Sequence, residues 1–140
     1  MNLYDLTVAA EQQVSTYCSA NIDEWRDAID PVLEAAGECT IGKDHVDDIT
    51  VSEDEISIRT SYSVRCCEQS NDMSVPLSIV KAENPIQAAN RYRVGNELED
   101  ARSRLAAAQR FVVEYSEKVA SLTVELSTFD VSLANFNPAI

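Results

Sequence analysis

Apolar residues recur at two periods along this chain, three to four residues apart toward either end and two apart in the middle. Leu3, Leu6, Ala10, Val14 and Tyr17 keep the longer period, which predicts an amphipathic helix over residues 3–19. A second helix follows, opened by Asn21 as a cap, carried by Ile22, Trp25, Ile29, Val32 and Ala36, and closed at Gly37. Asp30-Pro31 interrupts this run. Proline removes an interior hydrogen bond but suits a first turn, so the segment either kinks there or restarts as a short helix capped by Asp30.

From about residue 48 the period changes to two. Ile56, Ile58, Thr60, Tyr62, Val64 and Cys66 share one face, and Ser57, Arg59, Ser61, Ser63 and Arg65 the other, which describes a strand with one buried and one wet face. Ile49 and Val51 before it, and Met73, Val75, Leu77 and Ile79 after it, supply flanking strands. Turns are expected at Ser52–Glu55 and Glu68–Asp72. Pro76 falls on the outward parity of the third strand and marks it as an edge.

The last helix has a clear start, with Asn84 as cap, Pro85 in the first turn and Gln87 completing a capping-box arrangement. Leu98, Leu105, Val112, Val119 and Leu126 then repeat every seven residues, with Val94, Ala101, Ala108, Tyr115, Leu122 and Phe129 as the companion series. Residues 98–129 alone would span about 48 Å at 1.5 Å per residue. Gly95-Asn96 is the one joint where the helix could break or continue. The pattern predicts an α+β fold: two N-terminal helices, a three-stranded antiparallel β-meander, and a long C-terminal helix packed on the sheet. Residues 1–130 form a single domain in this reading, and residues 131–140, which contain Asn137-Pro138, form a tail.

Charge changes the picture more than composition does. Residues 1–55 carry 14 Asp/Glu against Arg26 and Lys43, whereas residues 56–140 carry ten against nine. With net charge −13 and pI near 4.3, direct binding to nucleic acid or an anionic membrane is disfavoured and a basic protein partner is favoured. Asp23, Asp27, Asp30, Glu34 and Glu38 lie at spacings of three and four, a stripe on the face of the second helix away from Trp25, Ile29 and Val32. Asp44, Asp47, Asp48, Glu53, Asp54 and Glu55 extend the negative region into the following loop and hairpin. Like-charge neighbours at this spacing do not help a helix. The stripe is either the solvated face of an acidic protein or a surface that imitates the phosphates of a polyanion.

Chemistry-bearing signatures are missing from the sequence. Three glycines form no phosphate-binding loop, and the outward serines of the strand have no positioned base, since His45 is the only histidine. His45 with Asp44, Asp47 and Asp48 lacks the spacing of a calcium loop or zinc site. Cys18, Cys39, Cys66 and Cys67 fit no metal-ligand spacing and read as reduced, small apolar residues. No cofactor, metal or enzymatic activity is expected. No apolar run approaches a membrane span, and the first residues lack the order of a signal peptide, so the expected location is the cytoplasm, the host cytoplasm if the protein is phage-encoded.

One function is expected and two are alternatives to it. In the first, the carboxylate face mimics nucleic acid and blocks a basic, nucleic-acid-handling partner. In its composition and charge asymmetry the chain resembles phage-encoded inhibitors of host defence, the anti-restriction and anti-CRISPR proteins, a likeness that implies this inhibitory role. The second is a chaperone or immunity-type binder of one specific protein. The third is an assembly protein that oligomerises through the long helix, with Val94, Leu98, Ala101, Leu105 and Ala108 as the self-association seam of a homodimer. Residues 111–129, where Phe111, Val113 and Val124 widen the apolar surface, are expected to pack on the protein's own sheet and first helices.

Overall fold

In the computed structural model the described residues are 2–16 and 22–135, with side chains through residue 129. The chain divides into two compact units, residues 1–96 and 97–140. The expected caps and apolar positions Tyr17, Cys18 and Asn21 lie outside the described residues.

The first unit begins with α1 (Leu3–Ser15), whose N-terminus is capped by Asn2, its Oδ1 accepting from the Asp5 N–H at 2.8 Å. Leu3, Thr7 and Ala10 are buried on one face, against α2 (Ile22–Ala35), which buries Ile22, Trp25, Ile29, Val32 and Leu33. A polar joint sits inside this apolar contact. The Trp25 indole N–H donates to Thr7 Oγ1 at 3.0 Å, and that hydroxyl donates to the Leu3 carbonyl at 2.7 Å, so both buried groups are satisfied. α2 reads through Pro31 as one helix. Proline removes only the N–H that would have bonded the Asp27 carbonyl, and burial of residues on both sides of it holds the helix together. Gly37, at φ +81°, ends it in a Schellman arrangement: the Gly37 N–H bonds the Glu34 carbonyl at 3.1 Å and the Glu38 N–H the Leu33 carbonyl at 2.9 Å.

The sheet is β1 (His45–Val51), β2 (Glu55–Val64) and β3 (Cys67–Pro76), antiparallel in the order β1-β2-β3, with β3 at an edge as Pro76 implies. A bulge at Asp47 lets Val46 and Ile49, three residues apart, both face the core. Ile56, Ile58, Met73 and Val75 complete that face, which α1 covers at β1.

Three expectations about the meander are corrected. The β2–β3 turn is at Arg65-Cys66, not Glu68–Asp72: both residues have positive φ, +51° and +69°, the two-residue geometry that suits the twist of a hairpin. Leu77 and Ile79 do not continue β3 but belong to α3 (Leu77–Lys81), where Leu77, Ile79 and Val80 are all buried and Lys81 sits 4.7 Å from the centre of the Tyr4 ring. The buried face of β2 ends at Thr60, because β1 pairs no further than Ser61. Beyond it the β2–β3 ribbon exposes Tyr62, Val64, Cys66 and Cys67, so the inward face expected to run on to Cys66 stops short, and these two cysteines, like Cys39, are exposed free thiols.

The last element is α4 (Pro85–Asn135), helical through Gly95 and five residues past the expected boundary at 130. Asn84 caps it, accepting from the Gln87 N–H at 3.2 Å. Within the first unit its opening turns are anchored: Ala89 is fully buried, and Arg93 Nε donates to the Ala35 carbonyl at 3.1 Å, a cation on the C-terminal end of α2. The second unit is the rest of α4. From residue 97 to 129 every side chain except the half-buried Ala107 is exposed. The expected burial of residues 111–129 in the core is therefore corrected.

Candidate functional site

Two surfaces stand out, one acidic and one apolar. On α2 the stripe forms as its spacing implied: Asp23, Asp27 and Glu34 are exposed on the side away from Trp25 and Ile29. Asp30 is half-buried and differently employed. Its Oδ1 accepts the Ile41 N–H at 2.7 Å and its Oδ2 the Gly42 N–H at 3.0 Å, which ties the loop after α2 back onto the helix. Arg26 donates to the Gly42 carbonyl at 3.3 Å and so braces the same loop; it does not neutralise the stripe.

The remaining carboxylates separate into groups. Glu38, Asp48 and Glu55, distant in sequence, line one open trough of about 440 Å³ on the polar face of the sheet, together with Thr50, Ser57, Ser74, Arg59 and Asp72. Arg59 faces Asp48 on β1 and Asp72 on β3 across the strands, and its Nε meets Asp72 Oδ1 at 2.9 Å. The hydrogen bond to Asp72 and that carboxylate's charge raise the Arg59 pKa above its ordinary value, with Asp48 and Asp47 adding to the effect. Asp47, at the bulge, accepts from Ser61 Oγ at 3.1 Å and lies 3.6 Å from His45 Nε2. Asp44 is half-buried at the end of the loop, while Glu53 and Asp54 are exposed in the β1–β2 turn. Among the described residues no group of three or more His, Cys, Asp or Glu is arranged to hold a metal ion.

Asp72 was missed as a member of this face because the Gln-Ser-Asn-Asp run around it reads as a turn. Once the turn is at Arg65-Cys66, register alone sets Asp72 opposite Arg59.

The apolar surface lies on the second unit. Leu98, Leu105, Val112, Val119 and Leu126 are between 49% and 66% exposed, and Tyr115, Leu122 and Phe129 between 52% and 61%. Ala101 and Ala108 are exposed in the same line, and Val94, the first member of the companion series, is exposed just before it. The expected seam residues thus lie together on one helix, and the seam continues for three further heptads. Phe111 stacks on Tyr115, ring centres 6.4 Å apart, and broadens one edge. Arg104 Nε holds Asp100 Oδ2 at 3.1 Å on the flank. No helix among the described residues is long and apolar enough to cross a membrane, and α4 carries charges throughout its length. Its stripe has the period and width of a coiled-coil face. The chain matches no protein-family model, no curated protein and no solved structure.

Proposed function

We propose that this protein is a non-enzymatic assembly protein that works through the seam of α4. One observation carries the reading: a five-heptad apolar stripe in which every large side chain from Leu98 to Phe129 is about half exposed or more. Monomeric proteins rarely leave so continuous an apolar surface in water, and a heptad stripe is the form that packs knobs into holes against another helix. The cytoplasm is the compartment this reading expects, since Cys39, Cys66 and Cys67 are exposed free thiols suited to reducing surroundings.

A second reading keeps the acidic face as an inhibitory surface toward a basic, nucleic-acid-handling protein. It is favoured by the exposure of Asp23, Asp27 and Glu34 and by the engagement of Arg26, the cation nearest them in sequence, with a carbonyl instead. In this reading binding weakens steeply as salt rises through the Debye lengths of about 10 to 3 Å.

One panel separates the two. Sedimentation of the full chain should show association that Leu105→Asp abolishes and that Asp27→Lys with Glu34→Lys leaves intact. A wild-type chain that stays monomeric to about 100 μM, well above the affinity of specific interfaces of ordinary size, would remove the assembly reading. Salt-sensitive binding of a basic partner, lost only in the Asp27/Glu34 variant, would establish the inhibitory one.

A further inference from the structure

We infer that the seam takes a second copy of this chain, antiparallel, in the register that sets Leu98 opposite Phe129 of the other copy and Ala101 opposite its Leu126. This rests on the assembly reading and adds to it a partner, a direction and a register.

Side-chain size selects the direction. One heptad series is of uniform size, Leu98, Leu105, Val112, Val119 and Leu126; the other is graded, beginning with Ala101 and Ala108 and ending with Tyr115, Leu122 and Phe129. In a parallel pair each position meets its own copy, so two alanine layers would be underfilled while tyrosine and phenylalanine layers would be overfilled. Both faults are costly in a packed core. In an antiparallel pair the two series face each other. The proposed register then gives Leu98 with Phe129, Ala101 with Leu126, Leu105 with Leu122, Ala108 with Val119 and Val112 with Tyr115, so that no alanine meets an alanine, no aromatic meets an aromatic and the whole seam is used.

Charge selects the register. It brings Arg104 of each copy beside Glu125 of the other, and the guanidinium has donors beyond the Nε that holds Asp100. Lys118 comes beside Phe111, where its stem can cover the ring. Sliding the pair one heptad toward the N-termini sets Arg104 against Lys118 and Glu97 against Glu125, like charges in both cases. Sliding it the other way carries Leu98 and Ala101 beyond Phe129, separates Arg104 from Glu125 and sets Lys118 of one copy against Lys118 of the other. The eight large seam side chains expose roughly 900 Å² per helix, of the same order as the 800 Å² per partner of a stable interface. Direction also matters to the rest of the chain. Residues 1–96 carry 17 acidic against seven basic residues, and antiparallel pairing attaches these two portions at opposite ends of the coil, not at the same end.

The test uses the full chain with Cys18, Cys39, Cys66 and Cys67 replaced by Ser, sedimentation being run alongside. Ala101→Cys and Leu126→Cys proteins are equilibrated together and mildly oxidised. A mixed disulfide dimer is expected, with little covalent dimer from either protein alone. Efficient cross-linking of Ala101→Cys to itself would overturn the direction and leave assembly standing. A non-covalent dimer that traps in neither case would overturn the register, and a monomer by sedimentation would overturn assembly as well. Independently, Arg104→Glu or Glu125→Arg alone should weaken dimerisation on the order of tenfold, and the two together in one chain should restore it. Failure of the double exchange to restore binding would contradict the pairing.

Discussion

Four carboxylates share the α2 stripe, yet Asp30 receives two backbone N–H groups of the returning loop while Asp27 and Glu34 face water. Replacing Asp30 by Ala leaves the Ile41 and Gly42 amides without their acceptor and should cost about 1–3 kcal/mol. Asp27→Lys, at a surface position away from such a feature, should fall within about 0.5 kcal/mol of wild type. Urea unfolding followed by the fluorescence of the buried Trp25 measures both, and equal stabilities would refute the anchoring role. Sequence spacing was enough to place Asp23, Asp27, Asp30 and Glu34 on one face, whereas Glu38, expected in the same stripe, lies past the turn at Gly37 and lines the trough on the sheet. It could not single out Asp30, because the amides it holds lie 11 residues away, and a carboxylate's partner depends on where the chain returns. The same holds for Glu11, whose carboxylate accepts from the Val51 N–H 40 residues along the chain.

At the scale of elements, period and punctuation located the two N-terminal helices, the central strand and the start of α4, since each signal is local. The hairpin turn escaped because Arg65-Cys66 has neither the Gly nor the Asn that usually supplies positive φ, whereas the polar run after it imitates a turn. α3 escaped for a related reason: Leu77 and Ile79 alternate as strand residues do, and only the added burial of Val80 shows a helical turn. Gly95 raised the question of a break, and the helix passes through it with open space around the position a Cβ would occupy. Gly95→Ala should therefore raise helix stability by about 0.5–1 kcal/mol through reduced unfolded-state freedom. A higher midpoint of thermal unfolding by circular dichroism is the expected result; a lower one would show that the position needs glycine for a reason beyond its backbone.

For the molecule as a whole, the sequence suggested α4 packed on the sheet, and a length argument explains why side chains from residue 97 to 129 stay exposed instead. The inner face of the sheet is made by strands of seven to ten residues, and its buried positions run only from Val46 to Ile49, from Ile56 to Thr60 and from Met73 to Val75. Such segments are about 10–17 Å long, far short of the 48 Å seam, and α1 already lies over β1 while α3 packs against β2 and β3. The first unit has its own core of Trp25, Ile29, Leu33, Ile41, Ile56 and Ile58, all at most 1% exposed. A fragment of residues 1–96 should accordingly unfold cooperatively and sediment as a monomer; a fragment that melts without a transition by Trp25 fluorescence would show that its fold depends on the seam. The order of the two units along the chain has a further consequence at synthesis. Residues 1–96 leave the ribosome before the seam does, and at about 5–20 residues per second the seam follows within roughly two to six seconds. The sticky stripe therefore appears only after the segment it could mispair with has had time to close on itself, and self-recognition is timed to chains whose first unit is already made.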